Sequence, residues 1–146
     1  MQSIRGLFAI PFLVAAGAPA ACDFPVPHAI DLAYAAAVER SGGVTAALRD
    51  AQGEAWEGWD AELNRLYAEL RQATPAPAHD ILRNAQRAWL AFDTAQTQWD
   101  IALRADAGSA AALDIADAAL ARRRARVCEL DDDLQRLRAS GDGAEE

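Results

Sequence analysis

Few side chains in this sequence have the type and spacing that catalysis or metal binding would require. The two histidines, His28 and His79, lie far from each other, one in a proline-rich segment and one at a predicted helix start, so helix capping or solvent contact explains them better than chemistry. The acidic run at 131–133 lacks the glycine and glutamate spacing of a calcium loop. No Ser-His-Asp order, phosphate-binding loop or zinc-protease motif is present. We therefore expect no enzyme, no metal site and no cofactor.

The basic cluster of the chain consists of Arg122, Arg123, Arg124 and Arg126. Arg123 occupies a position at which the apolar spacing of its segment would place a leucine. In one interpretation Arg123 reaches outward along its aliphatic stem, or pairs with an acid on a facing helix such as Asp60, while the other arginines are solvated. In the other interpretation the cluster binds an anionic ligand, an envelope polymer or a partner.

The first 21 residues have the composition of a secretory signal peptide. A basic residue, Arg5, precedes an apolar run from Leu7 to Ala16 and a small-residue stretch that ends at Ala21. The run contains Pro11 and is shorter than the roughly 20 apolar residues that span a membrane. We therefore expect cleavage of this segment, a mature protein without a transmembrane span, and a periplasmic or secreted location.

The two cysteines of the sequence are Cys22 and Cys128. In an oxidising compartment an isolated pair is most simply a disulfide, which would tie the start of the mature chain to a segment near its end. Cys22 also follows the expected cleavage site directly, where a bacterial lipoprotein would be acylated. Because Pro19 stands where such signals usually have an aliphatic residue, acylation is the less favoured alternative.

Charge limits the class of partner. The chain has 14 basic residues, all of them arginine, and 22 acidic residues, which gives a formal net charge of −8. A negative surface repels nucleic-acid phosphates and anionic lipids, whereas it attracts cationic proteins and small cations. We therefore expect a protein partner and no nucleic acid.

Proline and glycine breaks divide the remaining chain into four predicted helices. A short helix covers Ala29 to Arg40, and three longer segments run from Val44 to Thr74, from about Ala78 to Arg104 and from Ala110 to Arg138. Each long segment has apolar residues in alternating steps of three and four, the pattern of one buried helix face. The predicted fold is all-α, an antiparallel hairpin or bundle of three long helices with a short N-terminal helix.

These patterns also predict the domain organisation and the core. We expect a signal peptide at 1–21, one helical domain at 22–140 and a flexible acidic tail at 141–146. For the second long helix, the residues expected to face the core are Leu82, Ala85, Trp89, Phe92, Gln96, Trp99 and Leu103.

Two short motifs on consecutive long helices are the most specific feature. On the first, Asp60, Asn64 and Tyr67 lie at i, i+4 and i+7 and therefore share a face, with Leu63 beside them. The second motif has the pattern Leu-x-x-Ala-Gln-Arg-x-Trp followed by an aromatic residue. Its members are Leu82, Ala85, Gln86, Arg87, Trp89 and Phe92.

Together the motifs resemble those of the LprI N-terminal-type family, a lysozyme-inhibitor-like group of small exported bacterial proteins. The resemblance covers roughly residues 55 to 96. It implies a non-catalytic binding protein that occludes a cationic partner, such as a lysozyme, by stoichiometric binding. Where many relatives have an arginine after the aromatic residue and a cysteine shortly beyond, this chain has Asp93 and Gln96, so its disulfide arrangement must differ.

Alternatives remain open at this level. The motif residues can serve only to hold the hairpin together, with the amides of Asn64 and Gln86 hydrogen-bonded across helices. The protein would then be a structural or stress-related envelope adaptor without lysozyme activity. A cell-wall hydrolase, in which an acid such as Asp60 would be essential, is a third alternative. The sequence leaves the partner, the binding face and the oligomeric state open.

Overall fold

The structure, a computed structural model, describes Phe24, residues 27–108 and residues 110–142. Residues 141 and 142 are described by their backbone alone. All regular secondary structure in these residues is α-helical. The helices are α1 (Ala29–Arg40), α2 (Thr45–Ala73), α3 (Ala76–Leu103) and α4 (Ala110–Asp142). The predicted all-helical class with four helices is thereby confirmed. The expected signal peptide, Cys22 and Ser109 lie outside the described residues.

Local sequence signals account for the ends of the helices. His28 caps α1, because its Nδ1 accepts a hydrogen bond from the backbone amide of Ile30 at 3.3 Å. Gly42 and Gly43 follow α1 with φ values of 56° and 82°, a left-handed backbone that glycine adopts without a Cβ clash. Pro75 separates α2 from α3, since its ring cannot continue the preceding helix.

Helices α2 and α4 supply most of the apolar core, and their buried faces follow the predicted spacing. Three contacts show how they lie together: Gln52 bonds Asp117, Asp60 bonds Arg123 and Glu69 bonds Arg138. Because the residue numbers on both helices increase along these three contacts, the two helices run in the same direction. The buried apolar residues along this contact are Trp59, Leu63, Leu66 and Leu70 on α2 and Leu120, Val127, Leu130 and Leu134 on α4.

The prediction for α3 is correct for Leu82 and Trp89, which pack against the core, and wrong for Phe92, Trp99 and Leu103. Its buried residues are polar, namely Gln86, Asp93 and Asp100, and we call these the inner face of α3. Phe92 and Trp99, which the apolar spacing assigns to the core, are more than half exposed. Leu103 is exposed as well. The physical reason is that α4 presents an arginine to α3, and the helix turns its carboxylates toward that cation rather than its aromatic rings.

The last helix is longer than predicted. α4 continues to Asp142, two residues into the segment expected to be a flexible tail. Residues 143–146 lie outside the described part of the chain. Among the described residues, none of the helices combines the length and the hydropathy that crossing a bilayer requires.

Candidate partner-binding groove

The two sequence motifs meet at one groove between α2 and α3, which we call the motif groove. Its cavity volume is about 350 Å³. The groove exists because α3 packs more on α4 than on α2, which leaves the facing sides of α2 and α3 apart. The motif residues that line it are Asp60, Leu63, Asn64 and Tyr67 from α2 and Gln86 and Arg87 from α3.

Asp60 and Asn64 form the polar part of the α2 wall. The Nδ2 group of Asn64 donates to the backbone oxygen of Asp60 at 2.9 Å and to its Oδ2 at 3.1 Å. Both bonds stay within α2, so the expected cross-helix bond of Asn64 is not found. They hold the Asp60 carboxylate at the groove edge, where it is partly open to solvent. Tyr67, one turn further on, packs against the core and lines the same groove.

Arg123 of α4 forms the floor of the motif groove. Its guanidinium donates to Asp60 and lies over the Trp56 ring, 3.7 Å from the ring centroid. Trp89 lies on another side of the same cation, at 5.7 Å. The Nε of Arg123 is buried and has no hydrogen-bond partner among the described residues. The pairing with Asp60 that the seam position suggested is therefore present, and an aromatic contact strengthens it.

The α3 wall combines an amide, two cations and an apolar side chain. Gln86 is buried, and its Oε1 accepts a hydrogen bond from Nε of Arg126 on α4 at 3.1 Å. Arg83 pairs with Asp80 of its own helix. Arg87 has no ion pair within residues 27–108 and 110–142, and Leu90 is exposed.

Arg83 and Leu90 line the motif groove as well, although neither belongs to the predicted site, and helical spacing gives a signal for both. Arg83, Arg87 and Leu90 stand at i, i+4 and i+7, the same spacing as Asp60, Asn64 and Tyr67 on the opposite wall. The groove therefore has an acid on one side, bases and an exposed leucine on the other, and the Arg123 guanidinium at its floor. Such a lining suits the side chains of a protein partner.

The remaining motif residues have other positions. Leu82 and Trp89 are partly buried and pack against the core, so they anchor α3. Phe92 points away from the motif groove and is exposed. The structure thus brings most of the motif residues together in the groove and leaves Phe92 apart.

The arginine cluster does not form one surface. Arg122 bonds Asp93 and Asp100 of α3, both at 2.8 Å. Arg124 bonds Asp31 of α1 at 2.8 Å. With Arg123 on Asp60 of α2, three consecutive residues of α4 reach three different helices. The expectation that the neighbours of Arg123 are solvated is therefore wrong.

The fourth member of the cluster is also occupied. Arg126 bonds Gln86 and pairs with Glu129 at 2.7 Å. Each cluster guanidinium is thus matched by groups of the chain itself, and the cations point in different directions. An anionic ligand that used all four would have to displace these partners, so a shared binding site stays a prediction.

The contact between α3 and α4 is electrostatically strong. Burial alone would raise the pKa of Asp100, but the hydrogen bonds from Arg122 and Gln96 outweigh it and hold the pKa below its ordinary value. The two carboxylates raise the pKa of Arg122 despite its desolvation. Thr97 accepts a further bond from Arg122 at 2.7 Å. The inner face of α3 is therefore a satisfied polar network.

The histidines have structural contacts. His28 caps α1 and packs beside Trp59, with 4.6 Å between ring centroids. Nε2 of His79 lies 2.9 Å from the backbone oxygen of Thr74, which closes the turn between α2 and α3. No group of three or more potential metal-ligating side chains is found in the described part of the chain.

Comparison with known protein families identifies the chain. A family model described as "Lysozyme inhibitor LprI" matches residues 35–130. The chain belongs to this family. The match contains both walls of the motif groove and its floor, and it includes most of α4, which the motifs alone did not assign to the family. Comparisons with curated proteins and with solved structures find no match.

Proposed function

We propose that the protein is an exported, non-catalytic binding protein that inhibits a lysozyme by stoichiometric binding. The observation that carries this proposal is the family match, taken with the convergence of six motif residues on one groove. A lysozyme inhibitor needs a recognition surface and no reacting groups. The motif groove meets that requirement, because its side chains can bind a protein loop.

Charge supports the choice of partner. A chain with a net charge of −8 attracts a cationic lysozyme, and this attraction accelerates encounter more than it fixes affinity. The Asp60 carboxylate at the groove edge can accept hydrogen bonds from a basic side chain of the partner. Leu90 on the opposite wall offers apolar contact area.

The proposal includes the location and the helix arrangement. The signal-like residues 1–21 would direct the chain to the periplasm or outside the cell, where it can meet a lysozyme. Acylation of Cys22 remains the alternative to a soluble mature chain. The three long helices would form one bundle, with α3 antiparallel to its neighbours and closing one side of the motif groove.

The test is the rate at which lysozyme clears a peptidoglycan suspension, with and without the oxidised mature protein. We expect dose-dependent, saturable slowing that weakens as salt rises, because ions screen the attraction between the two proteins. Absence of slowing at excess protein would contradict the proposal and favour the envelope adaptor. Clearing by the protein alone would point to a hydrolase instead.

Variants of α3 locate the contact. Leu90→Arg replaces the apolar contact of the α3 wall with a long charged side chain that fills part of the motif groove, and it should reduce inhibition at least tenfold. Ile101→Arg is the matched control, since Ile101 is similarly exposed on the same helix, about 16 Å further along it. Equal loss of inhibition in both variants, with unchanged circular dichroism, would move the contact away from the groove.

A further inference from the structure

Helix α3 has a second apolar face that nothing in the described structure covers. It consists of residues spaced in steps of four and three, and we call it the outer stripe: Ile81, Ala85, Ala88, Phe92, Ala95, Trp99 and Leu103. Its four large members are 71%, 54%, 57% and 61% exposed, in chain order. The stripe lies about a third of a turn from the inner face of α3 and on the side opposite Leu90 of the motif groove.

From Ala88 to Leu103, helix α3 has no exposed charged side chain. Between Ala88 and Leu103, the charged residues are Asp93 and Asp100, and both are buried against Arg122. A quarter of the whole chain is charged, so a stretch of 16 helical residues without an exposed charged side chain is a marked departure. A cationic partner finds no exposed acid on this face, whereas a second copy of this acidic chain meets no like charge within it.

The order of large and small residues makes the stripe complementary to itself. Phe92 stands at its midpoint, eleven residues from Ile81 and eleven from Leu103. In an antiparallel pair of stripes, Trp99 of one copy therefore meets Ala85 of the other, and Phe92 meets its own equivalent. Such alternation of bulky and small side chains is what helices packed at a shallow angle require.

We propose that the outer stripe is a homodimer interface, in which α3 of one copy packs antiparallel on α3 of a second copy. A single face used by both copies is the arrangement of a two-fold dimer. The exposed area of its apolar side chains is roughly 600 Å² per copy, whereas a standard interface buries about 800 Å² per partner. The interface is therefore that of a moderately stable dimer, and it leaves the motif groove open.

The mass of the mature chain, measured by analytical ultracentrifugation over a wide concentration range, tests the proposal. We expect the wild-type mass to approach twice that of the monomer as concentration rises. Trp99→Glu should remain monomeric, because it places a charge in the interface. Leu32→Glu, at a similarly exposed leucine on α1, should dimerise like the wild type.

A charge pair tests the antiparallel register. In the double variant Ala85→Arg with Trp99→Glu, each new arginine faces a glutamate of the other copy, so dimerisation should return. A wild type that stays monomeric at all concentrations would overturn the proposal, as would a double variant as monomeric as Trp99→Glu. If the wild type is monomeric and Trp99→Glu no longer binds lysozyme, the outer stripe is a contact surface for the partner and not for a second copy. The clearing assay with Leu90→Arg is independent of this outcome.

Discussion

The guanidinium carbon of Arg123 lies over the Trp56 ring, 3.7 Å from its centroid, in the contact between α4 and α2. The arginine side chain is 8% exposed, whereas its ion-pair partner Asp60 is 45% exposed. The cation is therefore buried while the anion remains half in water. Removing one member is not equivalent to removing the other, because an uncompensated charge costs most where it is buried.

This asymmetry predicts which of two variants loses more stability. Asp60→Asn leaves the buried guanidinium beside a neutral amide and should lower the free energy of unfolding by about 2 kcal/mol. Arg123→Met fills similar space and leaves Asp60 solvated, so it should cost about 1 kcal/mol or less. Urea unfolding followed by far-ultraviolet circular dichroism measures both. A larger loss for Arg123→Met would contradict this order and show that the contacts of Arg123 with Trp56 and Trp89 stabilise the fold more than the burial of its charge costs.

Asp100 predicts how acid acts on the fold. Its pKa is lower in the folded chain than in the unfolded chain, because Arg122 and Gln96 donate hydrogen bonds to the carboxylate. The resulting stabilisation is present above the unfolded pKa of about 4 and is lost as the pH falls through the folded value. Asp100→Asn should therefore be less stable than the wild type at pH 7 and lose less stability on acidification.

Urea midpoints from neutral pH down to about pH 2 measure this difference. Asp80→Asn serves as the control, since Asp80 forms an exposed pair with Arg83, and such pairs contribute little. Parallel pH curves for Asp100→Asn and the wild type would contradict the assigned role of Asp100.

Tyr34 predicts a loss of stability in alkali. Burial and a 2.6 Å hydrogen bond to Asp117 raise its pKa to about 12. Because the folded pKa lies above the unfolded value of about 10, the stabilisation is complete below pH 10 and is lost as the pH rises toward 12. The free energy of unfolding of Tyr34→Phe should therefore fall less than that of the wild type between pH 10 and pH 12.

The phenolate absorbance gives a direct measurement. The sequence has two tyrosines, so a Tyr67→Phe variant reports on Tyr34 alone. Its titration midpoint should lie near pH 12. A midpoint near pH 10 would mean that the contact with Asp117 is absent in solution.

The cysteine pair remains a prediction. Cys128 is buried on α4, and Cys22 lies outside the described residues. If the two cysteines are bonded, Cys128→Ser should lower the melting temperature of the oxidised protein. The free energy of unfolding should fall by up to about 4.7 kcal/mol, the value for a loop of this length. Cys22→Ser should cause the same loss, and the double variant no more. An unchanged melting temperature in both single variants, or a lipid mass on Cys22, would exclude the bond.

Apolar spacing predicted the helices and two of their buried faces. On α2 and α4 the stripes that contain Leu66 and Leu130 are buried, because these two helices pack mainly by apolar contact. On α3 the same reasoning placed Phe92 and Trp99 in the core. It failed because a hydrophobic pattern cannot register that Asp93 and Asp100, seven residues apart, share one cation on another helix.

The motif groove was predictable only in part. The shared face of Asp60, Asn64 and Tyr67 follows from helical periodicity within α2. That Gln86 and Arg87 stand across from this face depends on the rotation of α3, which the contacts of Arg122 determine. Sequence spacing within one helix contains no information about that rotation.

The run of arginines at 122–124 also has a consequence for the order in which the fold can be completed. Its acidic partners Asp31, Asp60 and Asp93 all precede it in the chain, as does the apolar face of α2 that packs on α4. A ribosome therefore delivers the carboxylates first and their counter-charges last. Until α4 has emerged, the first three helices lack both their neutralising cations and their main packing partner. The fold of this protein is consequently completed only once the final helix is available.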